Sequence, residues 1–98
     1  MNKEELSKTR AKEYSDSGMS KYFKKDYRGA IKDFNQALRF NPNDAEAYGN
    51  RSIARHKIGD RRKAIEDCKF AAVLYSRQGN IKQHQYALKM QKRLLQSA

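Results

Sequence analysis

The sequence has few of the features that secreted or membrane-spanning proteins carry. It contains a single cysteine, Cys68, so no disulfide can form within the chain and a disulfide-stapled scaffold is excluded. No stretch approaches the ~20 consecutive apolar residues that a membrane-spanning helix needs. The first ten residues, MNKEELSKTR, lack the apolar segment of a secretory signal. We therefore predict a cytoplasmic protein without a transmembrane segment.

Apolar residues are also scarce. They make up 38% of the 98 residues, which is below the share usual in globular domains, so the core must be small. This length allows one domain. Val, Ile and Thr nowhere alternate with polar residues over five positions, so the sequence predicts no β-strand.

Positive charge is present in excess. Twenty-two Lys and Arg residues against eleven Asp and Glu residues give a net charge of +11. Such a charge predicts an acidic partner, which could be a protein surface, a nucleic acid or an anionic lipid surface. The last side-chain carboxylate belongs to Asp67, so the C-terminal third is the basic end.

The chain repeats itself with a period of 34 residues. Superposing residues 11–44 on 45–78 gives eight identities, where average composition would give about two. The identical pairs are Ala11/Ala45, Tyr14/Tyr48, Asp26/Asp60, Arg28/Arg62, Ala30/Ala64, Ile31/Ile65, Asp33/Asp67 and Ala37/Ala71. Within each copy, apolar and small residues recur at helical spacing on both sides of a short break, which predicts a helix–turn–helix.

The flanking segments complete the predicted organisation. After the break at Gly79–Asn80, residues 79–98 have the pattern of a fifth helix with one apolar side. Residues 1–10 are predicted to be a flexible N-terminal extension or an extension of the first helix. Polar residues before the helical segments are predicted to be their N-caps, and these are Asn2, Asp26, Asn43 or Asp44, Asp60 and Asn80.

The period and the positions of the small residues resemble the tetratricopeptide-repeat family, with its motif W-x2-L-G-x2-Y…A-x3-F…P. The matching residues are Tyr14, Gly18, Ala30, Phe34 and Pro42 in the first copy and Tyr48, Ser52, Ala64 and Cys68 in the second. The resemblance implies an all-α superhelix of two repeats, residues 11–44 and 45–78, closed by a capping helix in residues 79–98. Two repeats fall short of the ~3 usually needed for stability, so the closing helix or self-association must supply the rest.

The resemblance also implies a concave groove lined by the first helix of each repeat and the closing helix. The residues that it assigns to the groove are Lys12, Ser15, Met19, Tyr22, Phe23, Asn50, Ile53, His56, Lys57 and His84. Apolar anchors surrounded by positive charge suit an extended or helical peptide with acidic flanks. We therefore predict a non-enzymatic protein-interaction module, or scaffold, that binds such a peptide.

A more specific function of the family is not predicted. Some members hold the acidic C-termini of heat-shock chaperones with a clamp of Lys, Asn, Asn, Lys and Arg. Only Asn50 matches that clamp here, because Ser15, Met19, Asn80 and His84 stand at its other four positions.

The basic residues leave nucleic acid, RNA in particular, as the alternative partner. Arg61, Arg62 and Lys63 begin a predicted helix, and Lys89, Lys92 and Arg93 lie along the last one. Basic residues are scattered over all helices, however, and no known nucleic-acid module is present. Arg51, Arg55, Glu66 and Asp67 are predicted to pair within or between helices as weak, partly exposed ion pairs, with an anion site as the alternative.

Catalytic, metal and cofactor sites are not predicted. His56, His84 and Cys68 lack the close spacing of metal ligands, and Cys68 stands at the position of Phe34, which makes it a core residue. The sequence shows no phosphate-binding loop, no nucleophile in a strained turn and no carboxylate pair in an apolar setting.

Overall fold

A computed structural model describes residues 1–97 of the chain, which form five helices and no strand. The helices are α1 (Lys3–Phe23), α2 (Tyr27–Phe40), α3 (Ala45–Lys57), α4 (Arg61–Arg77) and α5 (Ile81–Gln96). The predicted all-α architecture is confirmed. The segment of residues 1–10 is helical from Lys3 onwards, as part of α1. No helix in the described part of the chain is long and apolar enough to cross a membrane.

Each helix begins after a polar residue that caps it. The Asn2 side chain accepts a hydrogen bond from the backbone N–H of Glu5 at 2.8 Å. Equivalent bonds to the residue three positions on are made by Asp26, Asp44, Asp60 and Asn80. The predicted caps are confirmed, and Asp44 rather than Asn43 fills the one ambiguous position. An N-cap depends on residues three apart, so the local sequence suffices to predict it.

The same tight turn ends α1, α3 and α4. Lys25, Gly59 and Gly79 adopt positive φ angles of 65°, 83° and 71°. After each, the next backbone N–H reaches back to a helical carbonyl at 2.9 Å, as Asp26 does to Lys21. This is the six-to-one bond of a Schellman-type helix end. Lys25 therefore occupies a left-handed position that glycine fills at the other two turns.

The helices pack in chain order, each against its neighbour in sequence. Where they meet, the core consists mainly of alanines, so the backbones approach closely. Phe34 is the largest fully buried apolar side chain, and Met19, Tyr22 and Ile31 pack around its cluster. The molecule measures 46 × 32 × 18 Å, and its 18 Å dimension is short because the helix pairs form a repeat array.

The closing helix α5 covers the far side of α4. Ala87 packs on Ala71 and Ala72, and Leu94 packs on Ala64 and Cys68. The Arg61 guanidinium at the start of α4 donates to the carbonyls of Leu94 and Leu95 at 2.6 and 2.7 Å. These bonds satisfy carbonyls at the C-terminal end of α5 that have no partner within the helix.

Candidate protein-binding groove

A cavity of about 440 Å³ opens between α3, α4 and α5. Its buried lining residues, Cys68, Ala71 and Ala87, are apolar and form its floor, whereas two tyrosines and the amides of Asn50, Asn80 and Gln83 are more exposed and form its walls and rim. The lining residues are Glu46, Gly49, Asn50, Ile53, Cys68, Ala71, Tyr75, Asn80, Gln83, Tyr86, Ala87 and Met90. No Lys or Arg is among them, and Glu46 is their one charged member. This arrangement suits an apolar side chain flanked by groups that form hydrogen bonds.

A second depression of about 380 Å³ lies between α1 and the beginning of α3. Lys8, Lys12, Ser15 and Asp16 line it from α1. Glu46 lines both depressions, so they adjoin along α3. Together they form the concave surface that we call the groove: the α3–α5 cavity and the α1–α3 depression.

The structure distributes the predicted groove residues over several environments. Asn50 and Ile53 line the α3–α5 cavity, and Lys12 and Ser15 line the α1–α3 depression. The other six line neither, and their role in binding stays a prediction. These six are Met19, Tyr22, Phe23, His56, Lys57 and His84.

The aromatic and histidine side chains among the six differ in how much of them is free. Tyr22 is half-buried, with its ring 5.7 Å from the ring of Phe23 and 5.3 Å from that of Tyr27. Phe23 is 75% exposed at the end of α1. His84 has Nδ1 2.7 Å from the carbonyl oxygen of Ala72, so this nitrogen engages α4. His56 and Lys57 are exposed at the C-terminal end of α3.

Sequence reasoning missed Tyr75, Tyr86 and Met90 as cavity residues. Tyr75 belongs to the last turn of α4, which is longer than α2, and it forms a wall only because α5 packs beside that turn. Burial raises the pKa of the Tyr75 phenol, and the Glu46 and Asp44 carboxylates raise it further. The spacing of Gln83, Tyr86 and Met90 on one side of α5 was the available signal.

A buried charge network fixes α3 to α4 beside the cavity. Asp67 is 2% exposed and accepts two hydrogen bonds from Arg51, at 2.9 and 2.7 Å, and one from Arg55 at 2.8 Å. Arg51 also donates to Asn35 at 2.9 Å. Pairing of both arginines with Asp67 between helices is confirmed, but the expectation that these pairs are partly exposed is wrong, because helix packing removes this carboxylate from water.

The first repeat has a weaker version of the same network. The 34-residue repeat relates Asp33 to Asp67. It likewise relates Ser17 to Arg51 and Lys21 to Arg55. Asp33 accepts a hydrogen bond from Ser17 Oγ at 2.6 Å and lies 3.0 Å from Lys21 Nζ. Because Lys21 is 41% exposed, water screens this pair more than its counterpart.

Cys68 is a buried thiol at the cavity floor. Its Sγ lies 3.0 Å from Ser52 Oγ, which also bonds to the carbonyl of Ala64 at 2.7 Å. Burial raises the pKa of the Cys68 thiol, the Ser52 hydrogen bond lowers it, and the Asp67 carboxylate raises it. Within residues 1–97, no three His, Cys, Asp or Glu side chains are grouped so as to hold a metal ion.

This geometry defines a helical-repeat protein with a concave surface, and comparisons with known proteins agree on the helical-repeat fold. A family model described as TPR repeat matches residues 20–59. Human serine/threonine-protein phosphatase 5 is 45% identical over 65 residues, covering 57% of this chain and 13% of the phosphatase. Human small glutamine-rich tetratricopeptide repeat-containing protein beta is 34% identical over 59 residues, covering 60% of this chain and 19% of that protein. Residues 20–59 thus match the tetratricopeptide-repeat family, and the two curated relatives extend the similarity to 57 and 60% of the chain.

A solved structure shows the same fold. A chain of the CopN–Scc3 complex superposes with a TM-score of 0.64 over 90% of this chain and 60% of its own length, at 20% identity. The chain spans only 13 to 19% of the length of the curated relatives just described. Similarity to phosphatase 5 is therefore similarity to a small part of that enzyme.

Proposed function

We propose that the chain is a non-enzymatic protein-interaction module that holds a segment of another protein in the groove. Tetratricopeptide repeats generally serve protein–protein interaction rather than catalysis. The observation that carries the proposal is the α3–α5 cavity, with its apolar floor and amide rim. We take the module to act in the cytoplasm, where its one cysteine, buried and unbridged, stays reduced.

The cavity chemistry suits an apolar side chain of the partner and the backbone beside it. Ile53, Ala87 and Met90 provide the apolar contact surface. Asn50 and Gln83 can both donate and accept hydrogen bonds, which matches the N–H and C=O groups of an extended segment. The apolar anchor gives affinity, and the amides fix the register of the bound segment.

Acidic residues of the partner would lie outside the cavity. Glu46 on its rim repels a carboxylate, and Lys12 in the adjoining depression is already paired with Asp16 at 3.0 Å, whereas the exposed Lys57 at the end of α3 attracts one. The net charge of +11 adds long-range attraction. Binding should therefore weaken as salt rises, since exposed charges are screened beyond about 10 Å at 0.1 M salt.

Matched double variants test the proposal. Ile53→Gln with Met90→Gln makes the cavity polar, whereas Leu6→Gln with Val73→Gln makes the same change at exposed residues that do not line the groove. We expect the cavity pair to reduce partner capture from cytosol by at least about tenfold, with helicity by circular dichroism retained. The control pair should capture as the natural protein does.

Nuclease treatment and salt titration separate this function from nucleic-acid binding. A protein partner should stay bound after nuclease, with a shallow salt dependence. Release by nuclease, together with a fall of affinity linear in log[salt] with a slope of several units, would assign the basic surface to nucleic acid instead. Equal capture by the two double variants would move the site away from the cavity.

A further inference from the structure

The outer side of α5 carries an exposed apolar stripe that the groove does not use. Ile81, Leu88 and Leu95 are 70%, 45% and 55% exposed. Their spacing of seven residues places them within about 40° of one another around the helix. Gln83, Tyr86 and Met90, which line the cavity, lie on the opposite side of α5.

Packing of α5 on α4 repeats packing of α3 on α2. Ala47 of α3 packs on Ala37 and Leu38 of α2. Ala87 of α5 packs on Ala71 and Ala72 of α4, which are the repeat equivalents of Ala37 and Leu38. Ala54 packs on Ala30 and Phe34, and Leu94 likewise packs on Ala64 and Cys68. Residues of α5 therefore correspond to residues of α3 that come 40 positions earlier, rather than the 34 of the sequence repeat.

This correspondence shows what the stripe is built to contact. Leu88, Lys92 and Leu95 correspond to Tyr48, Ser52 and Arg55 of α3. Those three residues hold α4: the Tyr48 ring stacks on Phe70 at 5.3 Å, Ser52 bonds to Ala64, and Arg55 bonds to Asp67. The stripe therefore corresponds to the face of a repeat's first helix that packs against the second helix of the same repeat. No helix of the described chain packs on this face of α5.

We propose that the stripe of α5 binds an acidic amphipathic helix of another protein, which completes a third helical hairpin. The charge around the stripe identifies the occupant. Lys92 corresponds to Ser52, which is fully buried under α4, so a docked helix would enclose the Lys92 ammonium and must bring a carboxylate to it. α5 itself has no acidic residue, so no side chain of this helix neutralises Lys92.

A second copy of this chain fits the stripe poorly. Each copy carries +11, so two copies repel one another at low salt. In this chain, the residues of α4 that contact Ser52 are Ala64 and Cys68. If α4 of a second copy packed on the stripe in the same way, these two residues would lie against Lys92, which requires a carboxylate. The required helix combines a small apolar stripe with acidic flanks.

Binding of a synthetic helix tests the proposal directly. The probe is a labelled peptide of about 18 residues with leucine and alanine on one face and glutamate on both flanks. The control peptide has lysine in place of every glutamate. We expect saturable binding of the acidic peptide by fluorescence anisotropy, with amide chemical-shift changes along Ile81, Leu88 and Leu95 and not along the cavity. The lysine peptide should not bind.

Variants of the full chain locate the contact. Leu88→Gln with Leu95→Gln should weaken binding of the acidic peptide by at least about tenfold. The control, Leu6→Gln with Val73→Gln, changes residues of similar exposure on α1 and α4 and should leave binding within about twofold. Lys92→Glu should weaken the acidic peptide and create binding of the lysine peptide.

Three results would overturn the proposal. The first is absence of saturable binding by the acidic peptide. The second is binding that the stripe variant leaves unchanged or that maps to the cavity. The third is a dimer of the natural protein in sedimentation equilibrium that Leu88→Gln with Leu95→Gln dissociates, because the occupant would then be a second copy. None of these results bears on capture of a partner in the groove.

Discussion

Gly18 shows how a single residue limits the approach of two helices. A Cβ atom at this position would lie 2.6 Å from Cε1 of the buried Phe34 ring, which cannot move without disturbing the core of the first repeat. A Cβ at Gly49, also inside a helix, would meet nothing within 4 Å. A side chain at Gly18 would therefore clash with the core, whereas a side chain at Gly49 would be accommodated without a clash.

Alanine substitutions at these glycines should have opposite effects. We expect Gly18→Ala to lower the free energy of unfolding by about 1 to 2 kcal/mol, because overpacking outweighs the gain in helix propensity. Gly49→Ala should raise it by about 0.5 to 1 kcal/mol, since alanine loses less conformational entropy in a helix. Urea denaturation followed by circular dichroism measures both. Equal effects at the two sites would contradict the close contact with Phe34.

The buried thiol of Cys68 should make stability depend on pH at alkaline values. Its pKa is raised in the folded protein, so the folded state disfavours the thiolate. The stability that the neutral thiol contributes is fully present below its ordinary pKa of 9.0 and is lost as pH rises above it. The free energy of unfolding should therefore fall more steeply above pH 9.0 in the natural protein than in Cys68→Ala.

Denaturation of both proteins from neutral to alkaline pH measures this difference. The two slopes should differ by at most about 1.4 kcal/mol per pH unit, the limit for one proton. Other residues that titrate in this range are common to both proteins, so their effects cancel in the comparison. Parallel curves would show that the thiol is not shielded from water.

At the scale of helices, the two repeats join their hairpins with carboxylates of unequal burial. Asp67 is held by two arginines that are themselves about 15% exposed, whereas Asp33 is held by a serine and by a lysine that is 41% exposed. The positions are equivalent under the 34-residue repeat, so each aspartate is a control for the other.

Neutralising these aspartates should have different costs. Asp67→Asn leaves two largely buried guanidinium groups without their carboxylate, and we expect a loss of about 3 kcal/mol in the free energy of unfolding. Asp33→Asn should cost about 1 kcal/mol, because Lys21 can turn into solvent. Thermal and urea denaturation compare the two variants. A larger loss for Asp33→Asn would mean that burial does not govern these pairs.

At the scale of the whole molecule, stability depends on contacts between successive helices. α5 packs on Ala72 of α4 and, together with Ser52 of α3, encloses Ala64 and Cys68. Because two hairpins are fewer than the ~3 repeats usually required, this cover should be essential.

Removal of residues 80–98 should therefore abolish the cooperative thermal transition seen by circular dichroism. The control truncation removes residues 1–8, which are almost all exposed, and it should shift the melting temperature by only a few degrees or about 1 kcal/mol. Retention of a cooperative transition at the original temperature without α5 would show that the four remaining helices form a sufficient core.

Much of the fold could be predicted from local signals in the sequence. The caps at Asp26 and Asp60 and the turns at Gly59 and Gly79 depend on residues a few positions apart, so the sequence contains their complete cause. The 34-residue repeat then implies that the second hairpin packs as the first does. Asn50 and Ile53 fall at the cavity for the same reason, since the period fixes which side of α3 faces inward.

The cavity and the free face of α5 could be found only in the tertiary structure, because they depend on the position of one helix along its neighbour. α5 packs on α4 with an offset of 40 positions from α3 rather than 34, and this register brings Tyr75 and Tyr86 to the cavity and turns Leu88 and Leu95 outward. Burial of Asp67 likewise arises only when α3 and α4 meet. Sequence determined the helices, their ends and their repeat, because these follow from neighbouring residues. Packing determined the cavity, the charge network and the free face of α5, because these depend on side chains that meet only after folding.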